Sequence, residues 1–257
     1  MKKWFLWILI NACVFCSGCV TTGRDTVMQT STIDALLAGV YDGHMSCSQL
    51  LEYGGFGLGT FDRLEGEMIV KDGIVYQIKA DGKVYTPGPD IKTPFACVCR
   101  FSPDKSSSLD RGMNYKDLEE LVNRLVPNQN IFCAVMIRGE FTKMKTRSVP
   151  AQKKPYPPLA EVVKHQPIFY MENISGTIIG FRCPPFVKGI NIAGYHLHFI
   201  SDDRKQGGHI LSFELKHGKC EIDLCNKFLM ILPEGEGAFG STDLSRDRSE
   251  ELDKVEK

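Results

Sequence analysis

Apolar positions recur along this 257-residue chain with two periods, and the period of two dominates. Ile33, Leu36, Leu37, Val40 and Tyr41 follow helical spacing. Ser46 with Gln49 three residues on reads as a capping box for a short helix closed at Gly54. Strand patterning then takes over at 56–61, 67–70, 74–78 and 83–85, with Asp72-Gly73 and Asp81-Gly82 as hairpin signals between the later runs. Residues 95–101 make a further strand. Asn114 can cap a helix whose apolar face is Leu118, Leu121, Val122 and Leu125, ending before Pro127. Residues 131–137 and 140–147 read as a hairpin around Arg138-Gly139, and a Pro-rich stretch at 149–159 reads as a linker between subdomains. A short helix at 159–165 precedes strands at 168–170, 177–181, 195–200, 209–215, 219–224 and 228–232. Residues 234–257 are charged and partly helical. The pattern predicts a β-rich α+β fold: mixed and antiparallel sheets in two closely packed subdomains, divided near 148–158.

The amino end changes the picture. Lys2-Lys3, an apolar run through Ile10 and small residues at Ser17-Gly18-Cys19 describe a secretory signal over 1–19, with Cys19 placed as a lipidated residue of a lipoprotein-type signal. The residue before Ser17 is Cys16 rather than the usual Leu, so a plain secretory signal or an uncleaved anchor stays open. Cys13, Cys16 and Cys19 lie inside this apolar segment and read as lipid-facing rather than as metal ligands. Polar, unpatterned residues 20–31 read as a tether, leaving 32–257 as the catalytic domain. Lys plus Arg equals Asp plus Glu at 31 each, which argues against a nucleic-acid surface. Seven cysteines follow the signal (Cys47, Cys97, Cys99, Cys133, Cys183, Cys220 and Cys225), mostly in apolar runs as buried thiols; a Cys220–Cys225 disulfide stays open for an exported chain.

The candidate chemistry lies in the C-terminal half. Along residues 195–200, His196 and His198 share one strand face while Tyr195, Leu197 and Phe199 share the other. A polar turn ending in Gly207-Gly208 leads to a second strand that opens on His209. With the turn centred between Asp203 and Arg204, His209 lies opposite His198, and three imidazoles meet on one patch. Three histidines with an open position is the arrangement of a catalytic zinc. The plainer alternative makes His196 and His198 ordinary strand residues and His209 a turn residue; half of the six histidines falling within fourteen residues weighs against it. His44, His165 and His217 have no such placement.

The stretch GYHLHFISDDRKQGGH from Gly194 resembles the zinc-binding hairpin of the α-acetolactate decarboxylases. So do YGGFGLGTFDRLEGEMIVKDG from Tyr53, TRSVPAQKKPYPPL from Thr146 and GTIIGFRCPPFVKGINIAGYH from Gly176, in order, and the resemblance runs over about residues 33–232. It implies a Zn2+ enzyme that decarboxylates 2-acetolactate, a 2-hydroxy-3-oxo acid, to acetoin and CO2 through an enediolate, and a homodimer. It further implies roles for Glu67 as proton relay or metal-shell carboxylate, Arg147 as substrate-carboxylate grip, Thr60 as pocket wall and Glu256 as a carboxylate from a tail folded over the metal. Glu65 stands where the family pattern has Asp. Two other readings compete: a cupin-type three-histidine enzyme, and a metal-binding surface lipoprotein without turnover. The cupin pattern needs a Glu shortly after the second His, where Asp202 falls in the turn, and a later Pro-x-Gly-x-x-His block that the chain lacks.

Overall fold

The computed structural model describes residues 23–235 and 237–256; the signal reading for 1–19, with Cys19 and the CxxCxxC spacing, lies outside these residues. Two sheets pack face to face. The first has seven strands in the order Lys227–Ile231, Thr26–Thr30, Ala96–Cys99, Phe56–Thr60, Glu67–Lys71, Ile74–Ile78, Val84–Tyr85. All its pairings are antiparallel except Thr26–Thr30 with Lys227–Ile231. In the second sheet, Gly207–Cys225, Phe132–Arg147, Ile168–Cys183 and Gly194–Ser201 pair in succession. Gly194–Ser201 then pairs back onto Gly207–Cys225, so these four strands close on themselves.

Alternation along the strands sorts side chains between cores. Val27, Leu58, Ile69, Ile78, Cys97 and Cys99 meet Phe132, Ala134, Met136, Ile179 and Phe181 between the sheets. Val135, Ile137, Phe141, Ile178, Leu197, Phe199 and Phe213 point the other way, into a core closed by helix Tyr115–Leu125. That helix begins as its sequence dictates: Asn114 and Asp117 form a reciprocal capping box, and Leu118, Leu121 and Val122 are its buried stripe. Helix Cys47–Tyr53, capped by Ser46 and Gln49, covers the outer face of the first sheet around Met28, Met68 and Val98.

Several expectations need correction. Residues 20–31 are no tether throughout, because Thr26–Thr30 is an interior strand with every residue buried. Val27 and Met28 enter cores on opposite faces, and Gln29 is satisfied internally: its Nε2 donates to the Ser31 and Ile190 carbonyls (2.7 and 2.8 Å), and Asn191 Nδ2 donates to its Oε1 (2.7 Å). Polar composition concealed a core strand whose polar groups find partners from distant residues. The hairpin expected at Arg138-Gly139 is a single strand, Phe132–Arg147. Gly139 lies between Gly176 and Gly218 in register, so three backbones pass where side chains would crowd. By the same continuity 168–170 and 177–181 merge into Ile168–Cys183, and 209–215 and 219–224 merge into Gly207–Cys225 with His217 inside the strand.

Nor do residues 148–158 divide the chain cleanly. The C-terminal strand Lys227–Ile231 returns to the first sheet, and the Pro-rich stretch is bound to the N-terminal half. Tyr41 Oη donates to the Pro157 carbonyl at 2.8 Å, and the Gln152 N–H to the Arg63 carbonyl at 2.8 Å. Cys220 and Cys225 are buried free thiols on one strand, so the disulfide considered between them is not formed.

Candidate active site and metal centre

The hairpin forms in the register its sequence predicts: His198 pairs with His209, and the turn between them is held by the Ser201 N–H donating to the Gln206 carbonyl at 2.9 Å. The three imidazole centroids lie 5.0, 5.1 and 5.4 Å apart. One ring nitrogen from each comes within 4.8 Å of the others. The strand ending at Arg147 pairs alongside, with Arg147 opposite His209, and Thr146 Oγ1 donates to the Gly207 carbonyl at 2.9 Å. Gly208 is required here. Its φ of +134° favours glycine, and a Cβ would strike the Arg147 carbonyl.

The first sheet supplies the opposite wall. Gly66, at φ +88° against the Ile78 carbonyl, turns the chain into the strand that opens on Glu67. Thr60 pairs with Glu67 in register and its hydroxyl donates to the Gly66 carbonyl at 2.8 Å, so Thr60 braces the turn that presents Glu67 as well as lining the pocket. Glu67 Oε2 stands 3.5 Å from His198 Nε2. From the C-terminal helix Ser249–Glu256, buried Val255 anchors the tail and Glu256 Oε2 reaches 3.7 Å from His209 Nε2. Thus Thr60, Glu67, Arg147, His196, His209 and Glu256 line one small cavity, with His198 fully buried and outside its lining.

Burial sets the protonation states. It pushes the Glu67 carboxyl up to about 8 and the Glu256 carboxyl up to about 7; the Arg147 guanidinium opposes both shifts, while Glu256 adds repulsion at Glu67. Burial likewise lowers His198 to about 4, with Arg147 acting in the same direction and the Met68 carbonyl opposing it. His196 and His209 fall well below the ordinary histidine range, chiefly through burial. All three rings are therefore neutral near pH 7 and offer lone pairs.

The donor set fits a dication. His198 Nδ1 lies 2.9 Å from the Met68 carbonyl, which fixes the proton on Nδ1 and turns a bare Nε2 toward the Glu67 carboxyl group. That Nε2 is buried without a hydrogen-bond partner. A buried ring nitrogen without a donor is a cost that a bound cation removes. The Met68 carbonyl, a backbone group, has no signature in sequence. The apolar wall of Leu36, Phe95, Leu159 and Ile192 was also missed, being drawn from four separate segments. His44 instead contacts Thr30 Oγ1 at 2.6 Å, and His217 pairs with Glu140 on the surface. Asp202, the residue at the cupin Glu position, is exposed, and its N–H donates to the Ser175 carbonyl at 2.9 Å.

Comparison with known proteins agrees with this geometry. Residues 27–246 match the family model for alpha-acetolactate decarboxylase. The chain is 48% identical to the alpha-acetolactate decarboxylase of Methanosarcina mazei over 233 residues, covering 91% of this chain and 81% of that one. It is 41% identical to the Bacillus subtilis enzyme over 206 residues, covering 80% of each. The crystal structure of alpha-acetolactate decarboxylase from Bacillus subtilis strain 168 superposes with a TM-score of 0.87 at 38% identity, covering 90% of this chain and 99% of that one. Sequence, fold and site converge: the chain belongs to the α-acetolactate decarboxylase family.

Proposed function

We propose that the chain converts 2-acetolactate to acetoin and CO2 with zinc held by His196, His198 and His209. The observation that carries this reading is the meeting of three neutral imidazoles, two buried carboxyls and one guanidinium at and directly behind a single cavity in a chain of this family. Zinc bound there supplies Lewis acidity toward the hydroxyl and ketone oxygens of the substrate. Arg147, at the cavity wall, holds the substrate carboxylate and sets the bond to be broken. As that C–C bond breaks, its electron pair passes into the enediolate and CO2 leaves. Glu67, whose carboxyl pKa is raised by burial in the metal-free chain, then gives a proton to the carbon that lost CO2. Glu256 closes the opposite side, and the apolar wall around Leu36, Phe95 and Ile192 excludes water from the intermediate.

Acetoin formation from racemic 2-acetolactate tests this, measured before chelation, after it and after zinc return. Loss and recovery of turnover are expected. Absence of acetoin from folded, zinc-loaded protein refutes the reading. We further propose export, supported by Lys2-Lys3, the apolar run and Ser17-Gly18-Cys19, and a homodimer, supported by the family resemblance; subcellular fractionation and sedimentation test them.

A further inference from the structure

At the far end of the sheet interface, Cys99 is the last residue of its strand in the first sheet, and Cys225 the last of its strand in the second. Asp223 and Cys225, two apart on one strand, point to the same face. The two thiol sulfurs and a carboxylate oxygen of Asp223 all lie within 4.8 Å of one another, and the three residues are 0–1% exposed. The Asp223 carboxylate is half satisfied. One oxygen accepts from the Ser102 N–H at 2.8 Å, while Oδ1 is buried with no hydrogen-bond partner.

Nearby cysteines are engaged otherwise. Cys97 Sγ lies 3.2 Å from Asn191 Nδ2, and Cys133 Sγ 3.3 Å from Arg182 Nη2, as thiols do when they accept from polar neighbours. Cys99 and Cys225 instead stand beside each other and the Asp223 carboxylate. A buried carboxylate oxygen without a donor is a cost that a cation removes.

We infer that Cys99, Cys225 and Asp223 form a second metal site, for a dication of the zinc class, which ties the two sheets together. Ligand chemistry selects that class: thiolates exclude calcium and magnesium, and the carboxylate disfavours copper(I). Tetrahedral zinc wants its sulfur ligands ~3.8 Å apart, within reach of small side-chain adjustments. Binding replaces two S–H bonds by two metal–sulfur bonds, and both protons go to solvent. The loop through Arg100 and Pro103, which lines a surface groove, carries the Ser102 N–H bound to Asp223 and separates the cluster from solvent. The place suits a clamp. Past Cys225 the chain crosses from one sheet to the other, entering Lys227–Ile231 after one residue. A Cys99–Cys225 disulfide is the competing account, but it leaves Asp223 Oδ1 unpaired.

Cobalt titration of reduced, metal-stripped full-length protein tests the site without reference to turnover. Two equivalents per chain are expected, one of them bringing the near-ultraviolet thiolate-to-cobalt charge-transfer band that a histidine site lacks. The Cys225→Ser variant should bind one equivalent with no band. The His196→Ala/His209→Ala variant should keep the band. Asp223→Asn, which preserves shape and the Ser102 contact, should weaken the band-forming equivalent at least tenfold and provides the test if Cys225→Ser fails to fold. The inference is overturned by wild-type protein that binds one equivalent without the band. A band that survives Cys225→Ser overturns it, as does purified protein lighter by two hydrogens with Cys99 and Cys225 shielded from alkylation.

Discussion

Replacing Glu67 by Gln should lower turnover while stabilising the metal-free protein, and the stabilisation should grow with pH. Burial holds the Glu67 carboxyl at about 8 in the folded metal-free chain, against 4.5 for the ordinary group. Between those values the folded state keeps a proton that the unfolded chain has released. Unfolding therefore releases a proton, and stability falls as pH rises through that window and levels above it. The gap of about 3.5 units at 1.36 kcal/mol each sets a ceiling of ~5 kcal/mol. Glu67→Gln removes this term and leaves the other titrating groups in place, so the difference between variant and wild type isolates it, together with the repulsion between Glu67 and Glu256. Urea unfolding of the stripped proteins at pH 5 and pH 9 measures the difference. Half the ceiling, ~2.5 kcal/mol, moves the midpoint by roughly 1 M for a slope near 3 kcal/mol/M. In the zinc-loaded enzyme the same change should cost about 10²–10⁴ in kcat, the usual worth of a positioned proton donor. A stability difference that does not change between pH 5 and pH 9 would refute the reasoning, because it would mean that the Glu67 carboxylate is solvated or paired without metal.

Three further outcomes follow. His209→Ala removes one of the three proposed ligands and should abolish bound zinc at the histidine site together with acetoin formation, read by metal analysis and turnover on one sample. Arg147→Lys keeps the charge but loses the planar two-point grip, and should reduce kcat/KM by about 10–100-fold with zinc content unchanged. Met28→Ala opens a cavity under helix Cys47–Tyr53, where Met28 is fully buried, and should cost about 2–5 kcal/mol in chemical unfolding; a cost near zero would restore the tether reading of that segment.

Legibility in the sequence followed the range of the interaction. The hairpin carrying His196, His198 and His209 is local: strand alternation and a turn of known centre place the rings without any distant partner, and the observed register agrees. The helix capped by Asn114 was legible for the same reason. Glu67, Arg147, Thr60 and Glu256 came from resemblance, since a strand-end Arg or a tail Glu has no local mark of function. Their convergence depends on the packing of the two sheets and on Val255 docking the last helix. What the pattern misread shares one cause. Local pattern reads Gly139 as a turn, the gap at 216–218 as a break between strands and the polar run through Gln29 and Thr30 as a tether, because glycine and polar residues are normally punctuation. In this fold the glycines lie side by side in paired strands, and Gln29 finds Ile190 and Asn191 from far along the chain. Those tertiary partners override local propensity.

The same logic explains why the pocket is built from both sheets. Ligating imidazoles must be neutral, which burial enforces. Burial also raises the cost of the carboxyl charges beside them, and one guanidinium cannot offset two carboxylates in a dry cavity. Placing Glu67 on the first sheet and Glu256 on the terminal helix, with all three histidines on the second sheet, lets each rigid element fold around its own neutral core. The charges meet only when the elements close on one another. On this argument zinc should bind weakly to any state in which the last helix is undocked. Removing residues 249–257 should therefore loosen zinc at the histidine site by about 10–100-fold, the range found for losing an outer partner of a metal ligand. Equilibrium dialysis of the truncated and intact chains decides the point. Unchanged affinity in the folded truncated chain would mean that the three imidazoles hold the metal unaided and that Glu256 serves substrate alone.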